Sequence, residues 1–229
     1  AAFMYVWAIQ IGVDSEVIYG RTWEELVELL ERLSTELELF ENRRLVIYVH
    51  NLGYEFQFMR KYFKWTDVFS LSERNPLKAL CDLGIEFRCS YKLSGFSLDN
   101  TAKNLVKHSI KKLTGTVDYS LVRTHETTLT PADLDYIKND VLIVTAYIDE
   151  QIDYYKDITK IPMTNTGRVR AYVRQNCYYT SKNHRKTDRG KYFRYRKIME
   201  DLTLNPTIYT QLNRAFMGGF THANANYSG

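Results

Sequence analysis

The first fifty residues alternate apolar and polar positions in a way that predicts two strands, a helix and a third strand. Residues 3–12 alternate like a β-strand, and residues 16–19 are typical of its antiparallel partner across a short polar turn. Thr22 and Glu25 have the spacing of a capping box before a helical stripe of leucines. The apolar run at residues 45–49 is typical of a strand covered on both faces. These segments predict a β-α-β unit.

The pattern continues with a second helix and three more strands. Residues 53–62 have a helical pattern, and strand-like segments follow at residues 66–71, 77–81 and 85–89. The last two segments are joined by Asp82-Leu83-Gly84, which is a turn signal.

A long helix then begins after Thr130. Thr130 is a favourable cap and Pro131 suits the first helical position. Apolar residues at helical spacing follow at Leu134, Ile137, Val141, Val144 and Ile148. Strands alternating with helices, together with a strand meander, predict an α/β domain with a mixed sheet that ends near Tyr155. Beyond that point the pattern indicates basic helices and loops.

The charge is divided unevenly along the 229 residues. Residues 1–150 carry 17 basic and 22 acidic side chains, whereas residues 151–229 carry 14 basic and 5 acidic ones. Residues 182–197 hold eight of those basic side chains, interleaved with Tyr192, Phe193 and Tyr195. Such a segment suits a surface that follows a nucleic-acid backbone and stacks bases, because phosphate neutralisation supplies most non-specific affinity. A solvated basic helix is the alternative interpretation.

Several classes of protein are excluded by composition. No apolar run approaches the ~20 residues of a membrane-spanning helix, and the amino terminus lacks the basic start of a secretory signal. We therefore expect a soluble, cytoplasmic protein without a membrane partner. The three cysteines, Cys81, Cys89 and Cys177, are odd in number and have no C-x-x-C spacing. We expect free thiols rather than a disulfide framework or a zinc site.

Two short segments carry candidate chemistry. Residues 50–55 (HNLGYE) leave the end of a predicted strand and enter a helix, which is where α/β sheets place ligands. Tyr136 and Asp140 are four residues apart on the Thr130 helix and therefore share a face. Carboxylates that hold two divalent cations about 3.5–4 Å apart can hydrolyse a phosphodiester. Each pattern alone occurs by chance, and Glu55 could simply favour the helix dipole.

The order of these segments resembles the 3′→5′ exonuclease domain of family B DNA polymerases, above all the protein-primed branch of phages and linear plasmids. The likeness uses residues 50–55, then Ser97-Leu98, Asp118-Tyr119 and residues 136–140 (YIKND). It resumes at residues 216–221 (FMGGFT), which look like the motif that links exonuclease and polymerase domains. The resemblance implies a ribonuclease-H-like exonuclease domain at residues 1–155. Residues 156–229 would be a basic, mainly helical segment leading to the polymerase palm.

The resemblance also implies roles for individual residues. Glu55 and Asp140 would hold divalent cations, Mg²⁺ or Mn²⁺, and Tyr136 would orient the attacking water. The family more often has Asp at the position of Glu55. The residues that would contact DNA are Tyr48, His50, Asn51, Tyr54, Phe58, Ser97, Leu98, Gly218 and Gly219. Core packing is an equal alternative for Tyr48 and Phe58.

A catalytic lysine of this branch would fall near Thr114. Lys111 and Lys112 are the nearest candidates to replace it. The implied partners are single-stranded and primer-template DNA and a terminal priming protein, in the cytoplasm of the host cell.

The chain also departs from the family pattern. No Asp-x-Glu pair precedes the segment at residues 5–8, and the polymerase palm motifs have no counterpart. We therefore expect a fragment of a DNA-directed DNA polymerase that binds single-stranded DNA and is a poor nuclease by itself. Three alternatives remain open. They are a free-standing DEDD-type exonuclease, a nucleic-acid-binding module with a degenerate nuclease fold, and a purely structural α/β domain.

Overall fold

The computed structural model describes residues 4–113, 122–178 and 189–215. The chain divides into two compact units, residues 1–169 and 170–229. The predicted boundary near residue 155 stays a prediction. In the first unit, β1 (Trp7–Ile9) and β2 (Ile18–Gly20) form the predicted antiparallel hairpin. β1 is shorter than the alternating pattern at residues 3–12 suggested.

A second sheet has four strands and confirms the predicted mixed α/β architecture. The strands lie in the order β3-β6-β5-β4, with β3 parallel to β6 and the other pairs antiparallel. Their bounds are Leu45–Val49 for β3, Trp65–Ser70 for β4, Pro76–Cys81 for β5 and Ile85–Cys89 for β6. Gly84 closes the β5-β6 turn with φ +70°, and a Cβ there would lie 2.8 Å from the backbone nitrogen of Phe40. β3 remains partly exposed along its whole length instead of being covered on both faces.

Five helices are described in the first unit between β2 and residue 155. They are α1 (Trp23–Glu36), α2 (Leu52–Met59), α3 (Ser90–Ser94), α4 (Leu98–Lys103) and α5 (Pro131–Tyr155). Thr22 and Thr130 form the predicted capping boxes at α1 and α5, with Glu25 and Asp133 as the returning carboxylates. α2 ends three residues earlier than its pattern suggested. A 3₁₀ turn (Ile158–Lys160) follows α5.

Two apolar clusters hold this unit together. The first lies around Leu30, Leu52 and Ile85, and the side chains of Cys81 and Cys89 are buried in it as the expected free thiols.

The second apolar cluster surrounds Leu93, Ile148 and Ile161, and partly buried side chains such as Tyr48 and Tyr147 pack against it. α5 contacts both β1 and β3.

The remaining helices are α6 (Asn165–Tyr178), α7 (Arg189–Asp201) and α8 (Pro206–Ala215). They agree with the helices expected beyond Tyr155. Part of the basic and aromatic segment, residues 182–188, lies outside the described residues. Within the described ranges, none of the helices has the length and apolar character needed to cross a bilayer.

Candidate functional site

Lys112 joins the two candidate residues of α5. Its Nζ donates to Asp140 Oδ1 at 2.5 Å and to Tyr136 Oη at 3.1 Å. The ammonium also lies over the ring of Tyr136, 4.4 Å from its centroid. The Lys112 side chain is only 19% exposed and that of Asp140 is 30% exposed. The structure therefore gathers a phenol, a carboxylate and a cation in one partly buried cluster.

The charge on Lys112 is sustained by its partners. Burial opposes the charged form, but the hydrogen bonds to Asp140 and Tyr136 outweigh burial and raise the pKa of the ammonium. Charge-assisted hydrogen bonds of this kind are stronger than neutral ones. Lys112 is consequently a permanent cation at neutral pH, placed directly against a candidate metal ligand.

His50 follows the last residue of β3 and lies close enough to Lys112 for the positive charge to affect its pKa. Asn51 has φ 63°, in the left-handed region, and this conformation turns the chain sharply from β3 into α2. The His50 ring nitrogen Nδ1 lies 3.1 Å from Ser90 Oγ, and the ring meets Tyr91 edge-on at 5.5 Å. Burial lowers the pKa of His50, and the positive charge of Lys112 lowers it further. The imidazole is therefore neutral at pH 7.

Glu55 stands in the first turn of α2 and takes no part in the hydrogen bonds around Lys112. The residue keeps access to solvent, yet the surrounding protein limits its hydration and raises the pKa of its carboxyl. Burial is the cause of this shift, and no cation among the described residues counteracts it. This makes Glu55 receptive to a positively charged group, but its role as a ligand stays a prediction.

The residues predicted to contact DNA occupy different surroundings. Tyr54 is 55% exposed, and its ring meets Phe58 edge-on at 5.2 Å. Phe58 lines a surface groove with Trp23, Lys61 and other residues. Tyr48 packs against the second apolar cluster, where burial raises the pKa of its hydroxyl and the neighbouring Arg88 guanidinium offsets part of that rise. Tyr48 is partly buried and Tyr54 is exposed, and contact with DNA stays a prediction for both.

Ser97 and Leu98 begin α4. The Ser97 hydroxyl accepts the backbone N–H of Asn100 and so caps this helix. Asn51 is exposed and its side chain makes no capping hydrogen bond to α2, which leaves its amide available. The other predicted positions, Gly218 and Gly219, lie outside the described residues, as do Thr114, Asp118 and Tyr119.

The candidate carboxylates fit only part of a divalent-cation site. Glu55 and Asp140 offer hard oxygen donors of the kind that Mg²⁺ prefers. The ammonium of Lys112 against Asp140 shows that this carboxylate already pairs with a cation. In the part of the chain that the structure describes, however, no group of three or more His, Cys, Asp or Glu side chains is placed to hold a metal ion. These residues alone therefore do not make a two-metal centre.

The sequence pattern did not predict the contacts of two residues at this site, Lys112 and Asn139. Lys111 and Lys112 were equivalent candidates in the sequence, and the structure selects Lys112 by its contacts while Lys111 is exposed. Asn139 makes hydrogen bonds to Lys111 and Leu113. It lies within the YIKND motif, but nothing in the spacing indicates which backbone groups its amide would bind.

Comparisons with known proteins show what this fold resembles. No family model and no curated protein sequence matches the chain. A post-translocation complex of Phi29 DNA polymerase with primer-template DNA matches with a TM-score of 0.57 and 18% identity, over 97% of this chain and 38% of the polymerase chain. Phi29 DNA polymerase complexed with single-stranded DNA matches with a TM-score of 0.54 and 20% identity, over 93% and 36%.

The extent of the match is unequal for the two proteins. The likeness covers almost all of this chain, whereas this chain spans about a third of the length of the polymerase chains that it matches. At identities of 18–20% the likeness is one of fold. It confirms, at the level of the fold, the resemblance to a protein-primed family B DNA polymerase that the sequence motifs predicted.

Proposed function

We propose that this chain is part of a DNA-directed DNA polymerase of the protein-primed branch and carries its 3′→5′ proofreading exonuclease domain. The observation that carries the proposal is the cluster that Lys112 forms with Tyr136 and Asp140 of α5, the helix that contacts β3. The likeness in fold to Phi29 DNA polymerase supports it. We further propose a ribonuclease-H-like fold for the domain and the host cytoplasm as its location.

The proposed partners follow from the chemistry of the surface and from the matched structures. Those structures are complexes with primer-template and single-stranded DNA. In this chain, exposed Tyr54 next to Phe58 offers rings on which the bases of an unpaired 3′ end can stack. A terminal priming protein is a further proposed partner of the parent polymerase.

The proposed reaction hydrolyses the last phosphodiester of a DNA 3′ end. The oxygen of water forms a bond to phosphorus while the bond to the 3′-oxygen of the preceding nucleotide breaks, and that oxygen takes a proton. Because Tyr136 Oη accepts from Lys112, the O–H of the phenol is left to donate to the water and orient it. The ammonium of Lys112 places positive charge where the phosphate becomes more negative.

In the complete enzyme, Glu55 and Asp140 would hold Mg²⁺ or Mn²⁺, which would neutralise phosphate charge and activate water when bound. Neutral His50 would shape the entry to this site without repelling the cation. Since the described residues supply an incomplete set of carboxylates, we expect the 229-residue chain alone to trim DNA poorly.

The test is substitution of Asp140 in the polymerase that contains this chain. We expect Asp140→Ala to lower trimming of 3′-labelled single-stranded DNA in Mg²⁺ by at least ~100-fold, because a ligand is lost. Polymerisation on primer-template DNA should change by less than about twofold, which also shows that the protein is folded. Asp135→Ala is the matched control, because Asp135 is an exposed acid one turn earlier on α5. Trimming that is unaffected by Asp140→Ala would contradict the assignment.

A nucleic-acid-binding module with a degenerate nuclease fold is the second candidate. The incomplete carboxylate set of the described residues favours it. The same experiment separates the two, because the module would bind single-stranded DNA but give no trimming with or without Asp140.

A further inference from the structure

Residues 106–113 run along α5 without forming a helix or a strand, and we call this segment the strap. Its first attachment is to Glu150. The backbone N–H groups of Val106, Lys107 and His108 all donate to Glu150 Oε1, at 2.8, 2.6 and 3.2 Å. Asp149 adds contacts of 2.8 Å to the side chains of Lys107 and His108. One end of the strap is thus held by three successive amides on a single carboxylate.

Asn139 makes the second attachment. Its Nδ2 donates to the carbonyl oxygen of Lys111 at 3.0 Å, and its Oδ1 accepts the backbone N–H of Leu113 at 2.8 Å. The amide therefore binds the backbone on both sides of Lys112 and leaves that residue's side chain to reach Tyr136 and Asp140. A side-chain amide that uses both its donor and its acceptor on one stretch of backbone fixes position and orientation together.

The two attachments lie well apart along α5. Asn139 and Glu150 are eleven residues apart, which places them on nearly the same face of α5, about 16 Å from each other along its axis. The strap is thus held to α5 both before Lys112, at Glu150, and on either side of it, at Asn139, so both attachments constrain where Lys112 lies.

We propose that Asn139 is a positioning residue which, with Glu150 as the second anchor, sets Lys112 against Tyr136 and Asp140. The purpose of this placement rests on the proposed nuclease function. The placement itself rests only on the contacts of the strap, so the two can fail separately.

The first test measures how accessible Lys112 is in the 229-residue chain. Acylation with an N-hydroxysuccinimide ester, quantified for each lysine by mass spectrometry, should be slow at Lys112 in the unmodified protein. Asn139→Ala should raise the Lys112 rate about fivefold or more, since two hydrogen bonds are removed. Lys138, exposed on α5, should keep its rate and serves as the internal reference.

A second variant guards against simple misfolding. Glu150→Gln leaves the Asn139 contacts in place but weakens the far attachment, and we expect a smaller rise in acylation of Lys112. Asp135→Ala should leave the rate unchanged. If Asn139→Ala and Glu150→Gln are folded by circular dichroism and acylate Lys112 as slowly as the unmodified chain, the proposal is overturned.

The second test links placement to catalysis in the parent polymerase. Asn139→Ala should lower kcat for 3′ trimming about tenfold while KM for DNA changes little, because DNA contacts remain and the reacting groups are misplaced. Faster acylation without any trimming in the unmodified polymerase would keep the positioning role and refute the nuclease. In a polymerase that does trim, an unchanged kcat, or a kcat and a KM that change by the same factor, would overturn a role of this placement in catalysis.

Discussion

His50 is a histidine whose charge state is set by its neighbours. Burial and the ammonium of Lys112 both lower its pKa below the ordinary value of 6.5. The folded protein therefore favours the neutral form of the His50 imidazole more strongly than the unfolded chain does. By linkage, this stabilisation is present above about pH 6.5 and is lost as the pH falls through the lowered pKa of the folded state.

We accordingly predict that His50→Gln flattens the acid side of the stability profile. The free energy of unfolding, measured with urea at pH 7.5 and 5.0, should fall on acidification by less in His50→Gln than in the unmodified chain. His125→Gln is the control, because His125 lies on an exposed turn. An equal fall for the unmodified chain and His50→Gln would contradict the environment described for His50.

Residue-level prediction from the sequence succeeded where spacing alone fixes neighbours. Tyr136 and Asp140 share a helical face whatever surrounds the helix, so their proximity could be predicted from their spacing of four residues. Lys112 comes from a separate segment without regular structure, and its arrival at Asp140 depends on hydrogen bonds to Asn139 and Glu150. No periodicity encodes such contacts, which is why the choice between Lys111 and Lys112 had to come from the structure.

At the scale of elements, the start of α5 is the point on which the site depends. Thr130 Oγ1 accepts the N–H of Asp133, and the Asp133 carboxylate accepts the N–H of Thr130 in return. We predict that Thr130→Ala lowers the free energy of unfolding by about 1 kcal/mol, the usual cost of losing a cap. Urea denaturation measures it, and Thr128→Ala, an exposed threonine before the helix, should cost less than about 0.5 kcal/mol. Equal costs would show that the capping box contributes nothing.

The sequence predicted the long elements well because their signals are local. Neighbouring residues alone predict the capped helices α1 and α5 and the apolar strands β3 and β6. α3 and α4 were missed, since helices of five and six residues are too short to show a period. The order of strands in the mixed sheet was equally out of reach, because pairing joins residues far apart in the chain.

For the whole molecule, the uneven charge predicts how DNA binding responds to salt. We expect the 229-residue chain to bind single-stranded DNA weakly, with a logarithmic slope against salt of about −0.7 for each phosphate neutralised. Fluorescence anisotropy with a labelled oligonucleotide between low and moderate salt measures the slope. Replacing Arg194 and Lys197 of α7 by Gln should make it shallower by about 1.4 if each side chain neutralises one phosphate. The matched control replaces Lys103 and Arg32 of the acidic half. If this control changes the slope as much as the α7 replacements do, a role for the basic half is refuted.

The fold of the molecule resembles that of a polymerase at a level of identity where residue roles do not transfer by themselves. Glu55 illustrates this, because the resemblance implies a metal ligand at this position and that role stays a prediction. What the structure adds is a set of contacts specific to this chain, from Lys112 outward to Glu150.

The two attachments of the strap give its length a significance that its composition lacks. Apart from Lys112, many side chains would serve between the attachments, since the backbone makes the contacts. An added or a missing residue would change the path between the attachments and would displace Lys112. Related chains should therefore differ in the residues between these anchors but keep the same number of residues there. A chain with an insertion between the anchors should lack the lysine or carry it at another position.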